Sequence, residues 1–194
     1  HMRPVSCRFA VVALAGSLLA ACGGGYTVVD FRTDGGQYST SYVRHAATSG
    51  GMHVEIHNNP YADRDGEGLA ETVTASLKRS SSEVHDVRFA TTPPEGGAAY
   101  RMAVLFNPAP GARIEKLCAN AEQPTQAPSG DRVNVGVAFC DADEAIRWTR
   151  AHRLQPGGAE GAGMRDLFRT VGRELFEPSS DDAGPGADAG AGIL

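Results

Sequence analysis

Three side chains with metal-binding chemistry alternate along one short segment of the chain: His53, Glu55 and His57. Residues two apart on a β-strand lie on the same face, so two imidazoles and a carboxylate would stand close enough to share one ion. Such groups are ligands for Zn²⁺ and Cu²⁺. A metal site at these three residues is one hypothesis that the spacing supports. The alternative is that the three side chains form the solvated face of an edge strand.

A second, acidic segment is similar to the beginning of a calcium-binding loop. Asp63, Asp65 and Glu67 alternate before Gly68, in the order of the first oxygen ligands and the turn glycine of such loops. The last position of that pattern requires a bidentate glutamate, and Thr74 occupies it. We therefore interpret the segment as the N-terminus of a helix, where acidic side chains interact favourably with the helix dipole.

Patterns typical of catalysis are missing from the sequence. No Gly-x-Ser-x-Gly elbow occurs, the serines at 80–82 indicate a loop after a helix, and His85 and His152 are isolated. The paired glycines lack the strand-to-helix context of a phosphate-binding loop. We expect no enzymatic activity and no cofactor. A hydrolase whose site is assembled from residues distant in the sequence is an open alternative.

The beginning of the chain has the organisation of a secretory signal peptide, predicted over residues 1–21 with a cloning remnant at its start. Arg3 and Arg8 precede an apolar run from Phe9 to Ala21. That run is shorter than the roughly 20 residues that an ordinary transmembrane helix needs. The segment therefore predicts export rather than a membrane span.

The apolar run ends in Leu19-Ala20-Ala21-Cys22, and here the chain resembles the bacterial lipoproteins. The resemblance implies cleavage before Cys22 and acylation of its thiol, so that fatty chains such as palmitate hold the mature protein on a bilayer. Gly23 follows, where the sorting rule of enteric bacteria uses Asp for retention at the inner membrane. The expected location is the cell envelope, facing the periplasm, with the outer membrane favoured over the inner.

Charge and cysteine content narrow the possible partners and covalent links. Loss of the two signal-peptide arginines changes the formal charge from −5 to −7, which argues against nucleic acid as a partner. With Cys7 removed and Cys22 acylated, Cys118 and Cys140 remain as a pair in an oxidising compartment. We predict a disulfide between them, worth about 3 kcal/mol in the chain-entropy account.

The hydrophobic pattern predicts the elements that position these residues. Residues 22–51 are interpreted as the lipidated cysteine and a flexible tether, 52–178 as one α+β domain, and 179–194 as a disordered tail. We expect an antiparallel sheet of four to five strands with two helices packed on one face, in β-α-β-β-β-β-α order. Strands are predicted at 53–57, 84–89, 100–106, 133–140 and 145–152, with a short one at 37–44, and helices at 65–79 and 163–176.

A long connection from Asn107 to Asp131 separates two of the predicted strands, and Cys118 lies within it. Loops of this length are uncommon in compact domains and are often functional. We therefore expect this segment to present a surface to a partner.

Several short motifs lie along the predicted domain: Val54-Glu55-Ile56, Asn59-Pro60-Tyr61, Tyr100-Arg101, Phe106-Asn107-Pro108, Leu117-Cys118, Ala138-Phe139-Cys140 and Leu175-Phe176. Together they resemble a family of uncharacterised proteobacterial lipoproteins. The resemblance implies the paired cysteines and the lipoprotein address, and it brings no known activity. We expect a non-enzymatic binding or adaptor module. Its expected partners are the bilayer, through acylated Cys22, and another envelope protein. The alternative function is that of a periplasmic metal-binding protein.

Overall fold

The computed structural model describes residues 25–34, 38–98 and 100–178. The predicted signal peptide, the lipobox with Cys22 and the predicted tail at 179–194 lie outside these residues. Within them, no helix combines the length and the apolar character that crossing a membrane requires.

Six strands form a single mixed sheet within the described residues. They are β1 (Thr27–Asp34), β2 (Met52–His57), β3 (Phe89–Ala90), β4 (Tyr100–Phe106), β5 (Arg132–Asp141) and β6 (Glu144–Leu154). Their order is β1-β6-β5-β4-β2-β3. Strands β1, β6, β5 and β4 pair antiparallel, whereas β2 runs parallel to both β4 and β3.

The α+β class is therefore confirmed, but a wholly antiparallel sheet of four to five strands is wrong. Chain connectivity explains the difference. After β2 the chain returns through a helix before it enters β3 and β4, and such a crossover places strands parallel to one another. The part of the chain that the structure describes has three α-helices, one more than predicted: α1 (Thr40–Thr48), α2 (Ala62–Lys78) and α3 (Ala162–Phe176).

All three helices contribute to the main core, on one face of the sheet. The predicted stripe of α2, Leu69, Val73 and Leu77, is fully buried, as the helical spacing of apolar residues requires. Strands β4 and β5 present every second side chain to this core. Those side chains are Tyr100, Met102, Val104 and Phe106 on β4, and Val133, Val135, Val137 and Phe139 on β5.

The segment predicted as a tether contains two elements, and the prediction is corrected for them. Strand β1 pairs with β6 along its length, from Thr27 opposite Arg153. Helix α1 occupies much of the predicted strand at 37–44; its N-cap is Ser39, and it buries only Val43 and Ala46. An edge strand and a helix with so small a buried face leave a weak apolar pattern, so their composition is close to that of a linker.

The strand predicted at 84–89 is also corrected. The chain there forms a short 3-10 helix, Ser82–Val84, followed by β3, which has only two residues. Val84 and Val87 are both fully buried. Their three-residue spacing suits a turn, because a strand would direct them to opposite faces.

The long connection forms a layer on the opposite face of the sheet from the helices. Ala112, Ile114 and Leu117 of this segment pack against Leu105 and other outward-facing residues of β4 and β5. A bridge between Pro108 and Thr125 closes its base. The expectation of one covered sheet face is therefore corrected: helices cover one face and residues 107–131 cover the centre of the other. We call this segment the outer layer.

Candidate binding groove

The alternating residues lie on the sheet face that carries the outer layer. Strand β2 directs His53, Glu55 and His57 to this face, as predicted, and buries Val54 on the other. The His53 Nδ1 is 3.4 Å from Oε1 of Glu55, and the His57 Nε2 is 3.7 Å from its Oε2. The two imidazoles thus approach different oxygens of one carboxylate.

Arg101 of β4 occupies the centre of this group. In the parallel register it pairs with His53. Its Nη1 donates to Oε1 of Glu55 at 3.2 Å and to Oδ1 of Asn120 at 2.8 Å, and its Nη2 donates to the carbonyl of Cys118. The Arg101 side chain is only 16% exposed, so it joins β2 to the outer layer in a largely water-excluded position.

In this arrangement, two groups of the predicted metal site at His53, Glu55 and His57 have other partners. The Nε2 of His53 donates to the carbonyl of Thr91 at 3.0 Å, so that nitrogen has no lone pair for a metal. The Arg101 guanidinium already supplies a positive charge to the carboxylate. Among the described residues, no group of three His, Cys, Asp or Glu side chains is arranged to hold an ion.

The calcium-like segment is likewise not a loop. Asp65 and Glu67 lie in the first turns of α2, where Asp65 interrupts the helical backbone with φ −159° and ψ 47°. The side chain of Asp63 lies outside what the structure describes. The segment therefore agrees with the helix-start interpretation, and among the described side chains neither Asp65 nor Glu67 bonds to the Glu55 group.

Covalent and polar contacts hold the outer layer to the sheet at several points. The predicted disulfide between Cys118 and Cys140 is confirmed, and both residues are fully buried. On β6, Arg150 donates from both Nη atoms to the carbonyl of Ala109 at 3.3 Å. The Arg113 amide donates to Oε1 of Gln123 at 2.8 Å, which ties the two limbs of the layer together.

A groove of about 450 Å³ opens between the outer layer and the end of β2. Buried Leu105 and Leu117 contribute apolar surface to it. Exposed polar side chains provide the remainder, so a ligand would meet apolar contacts together with hydrogen-bonding groups. These are His57, Asn58, Asn120, Glu122 and Thr125, with the partly buried Gln123.

Comparisons with known proteins show no family. No family model matches the chain, and no curated protein matches it. Among solved structures it is similar to the PelC dodecamer from Paraburkholderia phytofirmans, at 13% identity and a TM-score of 0.40, over 79% of this chain and 99% of that one. A leucine-to-methionine variant of that protein matches over the same shares with a TM-score of 0.39. These values carry no conclusion about function.

The predicted metal-binding residues and the predicted surface segment are separate features of the sequence. Arg101, which joins them in the structure, was missed. Arg101 is the only charged side chain in the apolar run Tyr100–Phe106. A lone charge in such a strand requires a partner when buried, and that signal could have identified it. Gly136 was missed as well. A Cβ there would lie 2.2 Å from Cδ1 of Ile114, so the glycine admits the outer layer.

Proposed function

We propose that this chain is a non-enzymatic envelope lipoprotein, anchored through acylated Cys22, that binds a partner protein in the groove beside the outer layer. The observation that carries the proposal is the way the outer layer is fixed. A disulfide, Arg101 and Arg150 hold a long segment without regular strands in one position on the sheet. Such fixation lowers the entropy cost of presenting a binding surface.

The lining of the groove suits an extended peptide segment of the partner. Side-chain amides such as that of Asn120 offer donors and acceptors like those of the backbone, and can pair with main-chain groups of a bound peptide. The apolar surface of Leu105 and Leu117 would receive one of its apolar side chains. Asn120 and Glu122 are exposed, so their side chains are accessible for such contacts.

The anchor supports a location on the periplasmic side of the envelope, and Gly23 favours the outer membrane. With Cys22→Ser, fatty-acid labelling and lipoprotein-type processing should be lost. A mutant that is labelled as strongly as the natural chain would contradict the anchor.

Site-specific photo-cross-linking in native membranes tests the groove. A photoreactive side chain at Glu122 should capture one discrete partner protein. The matched control is the same probe at Glu83, an exposed glutamate of the 3-10 helix before β3, away from the groove. Adding Asn120→Arg, which places bulk and charge in the groove, should abolish capture from position 122. Equal capture from both positions, or capture that persists with the arginine, would contradict the proposal.

A further inference from the structure

We propose that the end of the sheet at which β1 begins lies directly on the bilayer, with the ring of Tyr26 in the lipid headgroup region. This inference rests on the proposed acylation of Cys22. The proposal gives the protein one fixed membrane-facing surface. A long tether would instead leave the domain free to turn.

The length of chain between the anchor and the domain is the first argument. Gly25 is the first described residue, three positions after Cys22, and an extended chain spans at most about 3.6 Å per residue, or about 11 Å here. The position of Gly25 is itself set by the sheet. A Cβ on Gly25 would lie 2.0 Å from the carbonyl oxygen of Leu154, so its backbone rests against the last residue of β6.

The strand order identifies the surface that this short link brings to the membrane. The start of β1 lies beside the end of β6, and Arg132, which begins β5, pairs with Leu154 there. The ends of β4 and β2 lie on the same side, because β4 is antiparallel to β5 and parallel to β2. The surface therefore includes the turns that carry Ser129, Gly130 and Gly157.

Tyr26 gives this end the chemistry of a membrane interface. Its side chain is 62% exposed, the larger value of the two exposed large hydrophobic residues among those described. Tyrosine combines an apolar ring with a polar hydroxyl and is enriched where hydrocarbon meets water. Asp131 and Glu160 at this end stand beside Arg132 and Arg165, so the end has no excess of basic side chains that would select an anionic surface. The partner that fits is a zwitterionic lipid surface.

This orientation has a consequence for the groove. Because His57 and Asn58 lie where β2 ends, the groove opens on the membrane-proximal half of the domain. Helix α1 and the turn between β5 and β6, which lie at the other end of the sheet, point away from the bilayer.

Fluorescence quenching in phosphatidylcholine vesicles tests the orientation with the full acylated chain. With Cys22 acylated and Cys118 bonded to Cys140, an introduced cysteine is the one free thiol for a fluorophore among the mature cysteines. Ser129→Cys places the label at the proposed membrane end. Ser41→Cys, also an exposed serine, places it on α1 at the far end. A quencher attached to lipid headgroups should quench the label at 129 several-fold more than the label at 41.

Flotation of the same vesicles separates the two possible failures. A chain that does not float with the lipid contradicts the anchor and with it this inference. A chain that floats but shows equal quenching at both positions contradicts the inference alone. In the floating protein, Tyr26→Ser should reduce quenching at 129 while Tyr26→Phe, which keeps the ring, preserves most of it; indistinguishable effects of these two variants would contradict the role of Tyr26.

Discussion

The Nη1 of Arg101 lies 3.2 Å from Oε1 of Glu55, and this contact occupies the carboxylate that the sequence pattern offered to a metal. The same Nη1 donates to Asn120 of the outer layer. One guanidinium therefore links Glu55 on the sheet to Asn120 in the outer layer. These side chains form a structural junction beside the groove.

Replacing this guanidinium should weaken the fold. Arg101→Gln removes the hydrogen bonds of a charged donor. Because the side chains of Arg101 and Glu55 are each less than a quarter exposed, the free energy of unfolding should fall by about 1–3 kcal/mol. Urea unfolding measures the change. The matched control is Arg113→Gln, because Arg113 pairs with Glu115 at the surface, where such pairs contribute little. Equal losses in the two variants would show that Arg101 is not a junction.

The packing of the outer layer on β5 can be tested at one position. Gly136→Ala forces Ile114 out of its place and should reduce the free energy of unfolding by about 1–3 kcal/mol. Adding Ile114→Ala makes room for the new methyl group. The double variant should therefore be more stable than the sum of the two single effects predicts. Additive losses would mean that the two residues do not pack against each other.

The disulfide should stabilise the domain without determining its secondary structure. With Cys118→Ala and Cys140→Ala together, the free energy of unfolding should fall by about 3 kcal/mol, because the unfolded chain loses a constraint. The circular dichroism spectrum should keep its native shape, because the sheet and the helices share a core of their own. A natural chain whose stability is insensitive to reducing agent would contradict this prediction.

Alkaline pH should destabilise the fold through Tyr100. Burial first, and then the nearby Asp141 carboxylate and Tyr42, raise the pKa of Tyr100 above 10.0. The folded state therefore holds this proton more tightly than the unfolded chain. The resulting stability is present below pH 10.0 and is lost as the pH rises through the folded-state pKa.

Unfolding measured at neutral pH and above pH 10.0 tests this sign. Tyr100→Phe should lose less stability than the natural chain on going to alkaline pH. A smaller fall should remain, because burial also raises the pKa of Tyr61. Tyr26→Phe, at an exposed tyrosine, serves as the control and should behave like the natural chain. A Tyr100→Phe variant with an unchanged alkaline loss would contradict the assignment.

Strong periodicity made part of the fold predictable. The strand at Tyr100–Phe106 and the helix ending at Phe176 occur where the apolar spacing placed them, because each buries a full face in the core. Strand β1 was missed for the opposite physical reason. It is an edge strand that leaves Phe31 exposed, so its side chains do not alternate cleanly between core and solvent.

Contacts between distant residues made the remainder unpredictable. The common face of His53, Glu55 and His57 follows from strand geometry, but the parallel register that brings Arg101 beside them does not. The same applies to Arg147, which is fully buried with its guanidinium 3.6 Å from the centre of the Tyr38 ring. Both arginines are located by tertiary packing, and periodicity carries no information about it.

Cross-linking in native membranes tests the central claim most directly. A variant of the groove is compared with a variant of His53. Asn120→Arg should abolish capture of the partner while circular dichroism shows an intact fold. The variant His53→Ala, at a residue that does not line the groove, should retain most capture and the same metal content as the natural chain. If Asn120→Arg captures the partner normally while His53→Ala loses bound metal and capture together, the groove is not the binding surface and the metal hypothesis replaces it.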